Sequence, residues 1–416
     1  MGKHRIRVLR AGLATVFATA LLGCTSTVNG VAVMATQPAD ADGVVVALLD
    51  TGKYPTTASH PVGTAGSESS GALLEAQRMA EYVVGPWEVN AKLRESNFAS
   101  TQAAPDVDLL KIALEELLPG PVLDIAAAHG IITTFATSRY SHGSQSALTN
   151  VVMRFPDPGA AAAASAEMAA KNAQIEDPPR SPIAIENYPE AAASAHDALG
   201  EKTVVDSFTA WGPYVLYQDA QSRKSSAPDL APEAALLVEF VLGHQEKLLD
   251  QFAATDPAKL ANLPLDPTGK LLARTLPTSD LDAAFVAGVW QPRAWLHFED
   301  DPIAAAAWYA AAGVEAVAKG LTTVYQTHNP GGAARLAQQL ASNPGPGVKP
   351  TTGVPGLPTA KCFSRQHVAA APTTREMGAR FKCVAHADRY TFIAYSDKEK
   401  DVKQQTAAQY RILAGK

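Results

Sequence analysis

Two stretches of this chain, 172 residues apart, fit one template, and no other feature narrows its possible folds as much. "NVVMRFPDPGAAAAASAEMA", Asn150 to Ala169, lies over "LTTVYQTHNPGGAARLAQQL", Leu321 to Leu340, nearly without gaps; Val152 falls on Val324, Pro158 on Pro330 and Gly159 on Gly331. Each copy reads as a strand running into a helix. Asp157 and Asn329 suit the N-cap, where a side-chain oxygen accepts a free backbone N–H, and the following proline suits a position whose own donor would go unused. A phosphate-binding loop would want more glycine and a basic residue at the helix entrance, and the first copy has neither. Downstream, "VVDSFTAWGPYVLYQDA" from Val204 can be laid over "RFKCVAHADRYTFIAYSD" from Arg380. Both read as strand, tight turn and second strand, with Tyr214 and Tyr390 at corresponding sheet-packing places.

Helical patterns follow over Pro232 to Ala254 and Lys398 to Leu413, and others precede the first copy at Ala72 to Glu95 and Val107 to Leu118. Even the proline-rich loops correspond: "EDPPRSPIAIENYPE" in the first half, "SNPGPGVKPTTGVPGLP" in the second. A recurring order of strand, helix, hairpin and helix predicts an α+β fold of two related units, each a mainly antiparallel sheet covered by helices on one face. "TDPAKLANLPLDPTGK" breaks the pattern with three prolines, so the first domain is expected over 43–260 and the second over 261–416.

The first 23 residues stand outside this scheme. Lys3, Arg5, Arg7 and Arg10 precede an uncharged run, Ala11 to Leu22, which is too short for a stop-transfer helix and right for a secretory signal peptide. "LLGC", Leu21 to Cys24, resembles the lipobox, whose cysteine is diacylated and becomes the first residue of the mature chain. Two acyl chains suffice for stable anchoring. Residues 24–42 are small and polar without a period and read as a flexible tether. The expected location is the extracytoplasmic face of the cell membrane, held by lipid on Cys24. Cleavage removes four of 35 basic residues and no acidic one, leaving 31 against 41 and a formal charge of −10. Such a surface argues against nucleic-acid partners.

Cys362 and Cys383 are the remaining cysteines, and outside the membrane two thiols on strand-like segments about twenty residues apart are expected to pair. The rival is a zinc site that adds His367 and His386, for which the spacing is loose. No G-x-S-x-G, H-E-x-x-H or phosphate-loop motif is present, so no catalytic residue, cofactor or metal is assigned. The strongest candidate wall for a small apolar or glycan ligand is "GVWQPRAWLHFEDDPIAAAAWYAAAG", with Trp290 and Trp295 as aromatic faces and Arg293 and His297 as polar anchors. The competing reading is core packing, with Trp295 and Phe298 on opposite sides of one strand and Asp301 capping a helix that begins at Pro302. Glu299, Asp300 and Asp301 then serve the helix start rather than acid–base chemistry.

The lipobox, "LLDTGKYPT", "EAQRMAEYVVGPWEVN", "GVEAVAKGLTTVYQTHNPGGAARLA" and "FKCVAHADRYTFIAY" together resemble the secreted lipoproteins of mycobacteria and nocardiae that carry a domain of unknown function. The similarity spans nearly all of the mature chain. It implies an actinobacterial envelope and offers no catalytic residues to carry over. The function expected is a non-enzymatic, ligand-binding or scaffold lipoprotein with its ligand in a cleft between the repeats; the alternatives are a hydrolase without a recognisable motif and a structural protein acting through partners.

Overall fold

Antiparallel pairing organises both halves of the computed structural model, which describes residues 43–96, 101–114, 117–198, 201–224, 232–278, 286–345, 347–365 and 379–416. The leader, the tether with Cys24, and His367 lie outside the described residues. The first sheet contains β1 (Glu95–Ser96), β2 (Gln102–Ala104), β3 (Thr133–Tyr140), β4 (Ala147–Arg154), β5 (Ser181–Ile183), β6 (Ala192–Ala198), β7 (Lys202–Trp211) and β8 (Tyr214–Arg223). The second contains β9 (Gly288–Trp290), β10 (Val314–Lys319), β11 (Thr323–Thr327), β12 (Val348–Thr351), β13 (Lys361–Arg365), β14 (Phe381–Ala387) and β15 (Tyr390–Ser396).

The strand paths are the same. In the first sheet β3-β4-β8-β7-β6-β5 are neighbours in that order, and in the second β10-β11-β15-β14-β13-β12. Register repeats as well: Arg154 faces Tyr214, and Gln326, its counterpart, faces Tyr390. The two proline-rich loops supply the equivalent edge strands β5 and β12, with Pro182 and Pro350 inside them, where a missing N–H costs little because among the described residues no strand lies beyond.

The helices are α1 (Glu68–Met79), α2 (Pro86–Val89), α3 (Val107–Leu114), α4 (Gly120–Ala128), α5 (Pro158–Ala173), α6 (Glu233–Leu249), α7 (Pro292–Trp295), α8 (Pro302–Ala312), α9 (Pro330–Ser342) and α10 (Glu399–Ala414). The helical pattern expected from Ala72 to Glu95 is broken. Helix α1 ends at Met79, the chain turns, and α2 restarts at Pro86, whose ring cannot be accommodated inside a continuing helix. At the repeated Pro-Gly joints, Asp157 accepts the Ala160 N–H at 2.9 Å and Asn329 the Gly332 N–H at 2.9 Å. Their backbone angles match, φ −153°, ψ 169° against φ −153°, ψ 167°. These joints are helix caps.

Coverage by helices on one face is corrected by the structure: both faces of each sheet are covered. Val151, Met153, Phe208 and Tyr217 form one core with α3, α4 and α5, while Val152, Leu216 and Ala220 on the opposite face pack with α1 and α6. In the second half Tyr325, Val384 and Ile393 meet α8 and α9, and Val324, Cys383 and Phe392 meet α10. The reason is legible in runs such as Val151-Val152-Met153, where neither face of the strand is polar.

A glutamine on the last helix of each half repeats one further contact. Gln245 on α6 accepts the Val84 N–H at 2.9 Å and donates to the Tyr82 carbonyl at 2.7 Å. Gln409 on α10 accepts the Leu276 N–H at 2.9 Å and donates to the Arg274 carbonyl at 2.7 Å. Each amide pins the segment that opens its half, because a buried backbone left unpaired would cost on the order of 1–3 kcal/mol.

The described residues from Gly43 to Lys416 form one compact unit, since the α1–α6 face of the first sheet and the α8–α9 face of the second share one apolar core. The Cys362–Cys383 disulfide links register partners on β13 and β14 with Cα atoms 4.1 Å apart. Closing a loop of this length contributes about 3 kcal/mol in the chain-entropy view.

Candidate functional site

The segment from β9 to α8 joins the halves, and its sequence explains how. Gln291-Pro292 opens a helical turn, α7 and the turn after it bring aromatic residues round on one side, and Asp301 ends the turn by accepting the Ala304 N–H at 3.1 Å to start α8. Trp295 and Phe298 therefore lie together, rings 5.2 Å apart, and not on opposite sides of a strand. Three residues apart is one helical turn, which puts them on one face.

Three of the four candidate anchors are consumed in joining the halves. Trp290 is 1% exposed, its indole N–H donates to the Val286 carbonyl at 2.8 Å, and its ring stands 6.4 Å from Phe135 of the first sheet. His297 is equally buried, between Phe135 and Trp87 at 5.0 and 5.1 Å. Its ring nitrogens reach the Thr137 hydroxyl at 2.9 Å and the Ala80 carbonyl at 3.2 Å. Burial, reinforced by the nearby Arg293 and Arg139, holds the imidazole well below its ordinary pKa and so neutral. Arg293 forks onto the Glu88 carboxylate at 2.7 and 3.1 Å. Trp295 differs: it lines a cavity.

That cavity, about 560 Å3, lies on the α8–α9 side of the second sheet, and Arg94 and Glu95 of the first half stand at its edge. One wall is the sheet, with Lys319, Thr323, Tyr325, Phe363, Arg365, Lys382, Ile393 and Tyr395. The facing wall is the α7–α8 connection, with Trp295, Phe298, Glu299, Asp300, Ala304 and Trp308; Leu340 at the end of α9 and Val348 of β12 complete the apolar surface. Its size and mixed lining suit a small organic ligand.

Two ionisable groups face each other across this space. Glu299 uses one carboxylate oxygen, Oε1, for three donors: the Trp295 indole N–H at 3.0 Å and the Tyr309 and Tyr325 hydroxyls at 2.5 and 2.7 Å. Burial raises its pKa, and the two tyrosine hydrogen bonds oppose that rise. Burial also raises Tyr309 and Tyr325 well above the usual tyrosine range, so both remain donors. Lys382 sits between Phe363 and Tyr395 on neighbouring strands. Its ammonium makes no hydrogen bond or ion pair among the described residues. Burial depresses its pKa, while the charges of Asp300 and Glu299 offset this only in part.

Sequence reasoning named Glu299 and Asp300 only as helix-start residues and missed Lys382. The signal was present in "FKCVA", where Lys382 shares the inward face of β14 with Val384, a place where a lysine without an adjacent acid is unexpected. Among the described residues no cluster has the make-up of a metal site, and none of the helices is long and apolar enough to cross a membrane.

No curated protein shows significant similarity to the chain. Among solved structures, the extracellular domain of PknH from Mycobacterium tuberculosis is similar over 41% of this chain and 96% of that one, at 11% identity and a TM-score of 0.28, too low for an argument from shared fold. Two family models match: the N-terminal model of DUF7373 over residues 62–265 and the C-terminal model of DUF7373 over residues 271–416. Both are described as domains of unknown function, and together they span the duplicated halves. The chain therefore belongs to the DUF7373 family, a family of domains of unknown function.

Proposed function

We propose that this is a lipid-anchored binding protein on the outer face of an actinobacterial cell membrane, holding a small ligand in the cavity of its second half without chemically changing it. The cavity carries the reading, because it combines an aromatic wall with an ammonium that has no hydrogen bond or ion pair among the described residues. The lipobox-like "LLGC" supports the anchor and the Cys362–Cys383 disulfide suits an oxidising compartment. Envelope location and the actinobacterial source come from the resemblance of the quoted motifs to secreted lipoproteins.

Native mass spectrometry of residues 39–416, which contain the compact unit, purified without detergent, tests the binding reading. One small molecule per chain is expected, and it should be lost in Val348→Trp, which fills the mouth of the cavity from the edge strand. A ligand-free spectrum, or equal retention by the variant, would overturn it. The anchor has its own test. Cys24→Ala should move the full-length protein from the detergent phase to the aqueous phase on Triton X-114 partition, and retention in the detergent phase would exclude lipid on Cys24 as the anchor.

A further inference from the structure

We infer that the cavity takes an amphipathic anion, with its acidic head group at Lys382 and its apolar body between Trp295, Trp308 and Ile393. The inference rests on the binding reading above and names the class of ligand.

Charge compensation within the cavity decides the class. Asp301 is engaged by the Ala304 N–H and by Arg94 at 3.6 Å, and Glu95 by His142 at 2.8 Å. Glu299 already has three donors on one oxygen. Arg365 donates to the Ala379 carbonyl at 2.7 Å, and the Arg380 guanidinium stacks on Phe381 at 5.4 Å. Asp300, which is exposed, and Lys382 are the exceptions, with no hydrogen bond or ion pair among the described residues; Lys382 offers three N–H donors in the cavity wall, with aromatic rings on both neighbouring strands, and the charges of Asp300 and Glu299 offset only part of the effect of its burial. A half-buried cation without a hydrogen-bond acceptor is costly, and an anion supplied by a ligand offsets that cost while gaining charge-assisted hydrogen bonds. A neutral sugar would leave the ammonium charge uncompensated. The rest of the lining is largely aromatic and aliphatic, so the head group must carry an apolar body.

Two fluorescent probes of nearly the same shape separate the terms: 1-anilinonaphthalene-8-sulfonate, which is anionic, and N-phenyl-1-naphthylamine, which lacks the sulfonate. Residues 39–416 should bind the sulfonate saturably, one per chain, with energy transfer from tryptophan, and at least about tenfold more tightly than the uncharged amine, the gain expected of a charge-assisted bond. Lys382→Met should remove that preference, and Lys382→Arg should keep most of it. The methionine variant should also melt at a higher temperature than the parent, because it deletes a half-buried charge that nearby carboxylates offset only in part; this guards against reading unfolding as lost affinity. Laurate and lauryl phosphate as competitors distinguish a carboxylate from a phosphate head, and displacement by either at lower concentration than lauryl alcohol supports the class.

Equal affinity for both probes with no effect of Lys382→Met would overturn the anionic class and leave the cavity as a binding site. Absence of tryptophan energy transfer from either probe would overturn both. Lauryl alcohol competing as well as the two acids would also overturn the anionic class.

Discussion

Arg139→Met should lower the free energy of unfolding by about 3–5 kcal/mol, the range for removing one member of a buried charged network. Arg139 lies on β3 of the first sheet and is fully buried. One guanidinium nitrogen donates to the carbonyls of His297 at 2.7 Å and Glu299 at 2.8 Å in the second half. Another reaches the Arg94 carbonyl at 2.9 Å and the Ser96 hydroxyl at 2.8 Å, and the group stacks over Trp87 at 5.4 Å. Burial lowers its pKa to about 10, which still leaves it charged at neutral pH. Methionine keeps much of the volume but satisfies none of these acceptors. Lysine keeps the charge without the fork, so Arg139→Lys should fall between the two. Urea denaturation at pH 7 measures the effect, and a loss below about 1 kcal/mol for Arg139→Met would show that this guanidinium network adds little to the joining of the halves.

Asp219→Asn should stabilise the protein at pH 8 and leave it nearly unchanged at pH 4. Asp206 and Asp219 are opposed in register on β7 and β8 and both are buried. Arg180 and the Tyr217 hydroxyl engage Asp206, the latter at 2.8 Å, whereas among the described residues Asp219 has the Gln221 amide alone, at 3.1 Å. Burial, with the charge of Asp206 adding to it, pushes Asp219 up from 3.8 to about 7. A carboxyl group whose folded pKa lies above its unfolded value contributes most below the unfolded pKa, and the contribution is lost as pH rises through the folded value. Wild-type stability should thus decline between about pH 4 and pH 8, by up to about 4 kcal/mol from this group, and the decline should vanish in Asp219→Asn. Equal pH profiles for the two proteins would refute the assignment. Protonation of His297, whose pKa is depressed by burial, works in the opposite sense and costs stability as pH falls below the ordinary histidine value.

Much of the fold was legible because its signals are local. Asp157-Pro158-Gly159 and Asn329-Pro330-Gly331 carry a cap, a fixed φ and a helix start within three residues, so their recurrence exposed the duplication. The hairpin turns at Gly212-Pro213 and Asp388-Arg389, and the pairing of Cys362 with Cys383, were readable for the same reason. The cavity was not. Trp290, Arg293, Trp295 and His297 are close in sequence, yet only Trp295 lines it: Trp290 from β9, and Arg293 and His297 from the helical turn that Pro292 opens, are directed toward Phe135, Glu88 and Thr137 of the first half. The partners lie about 150 to 210 residues away, and no local pattern encodes such distances.

What the sequence determined by itself was the repeated unit, its helix caps and its hairpins, all properties of neighbours along the chain. Tertiary structure alone decided that both faces of each sheet would be covered and that one tryptophan-rich segment would seal the two halves. It also decided that Lys382 would stand opposite Glu299 across an open cavity without touching it. Burial and charge compensation depend on what the rest of the chain brings to a residue, and that is fixed only when distant elements pack.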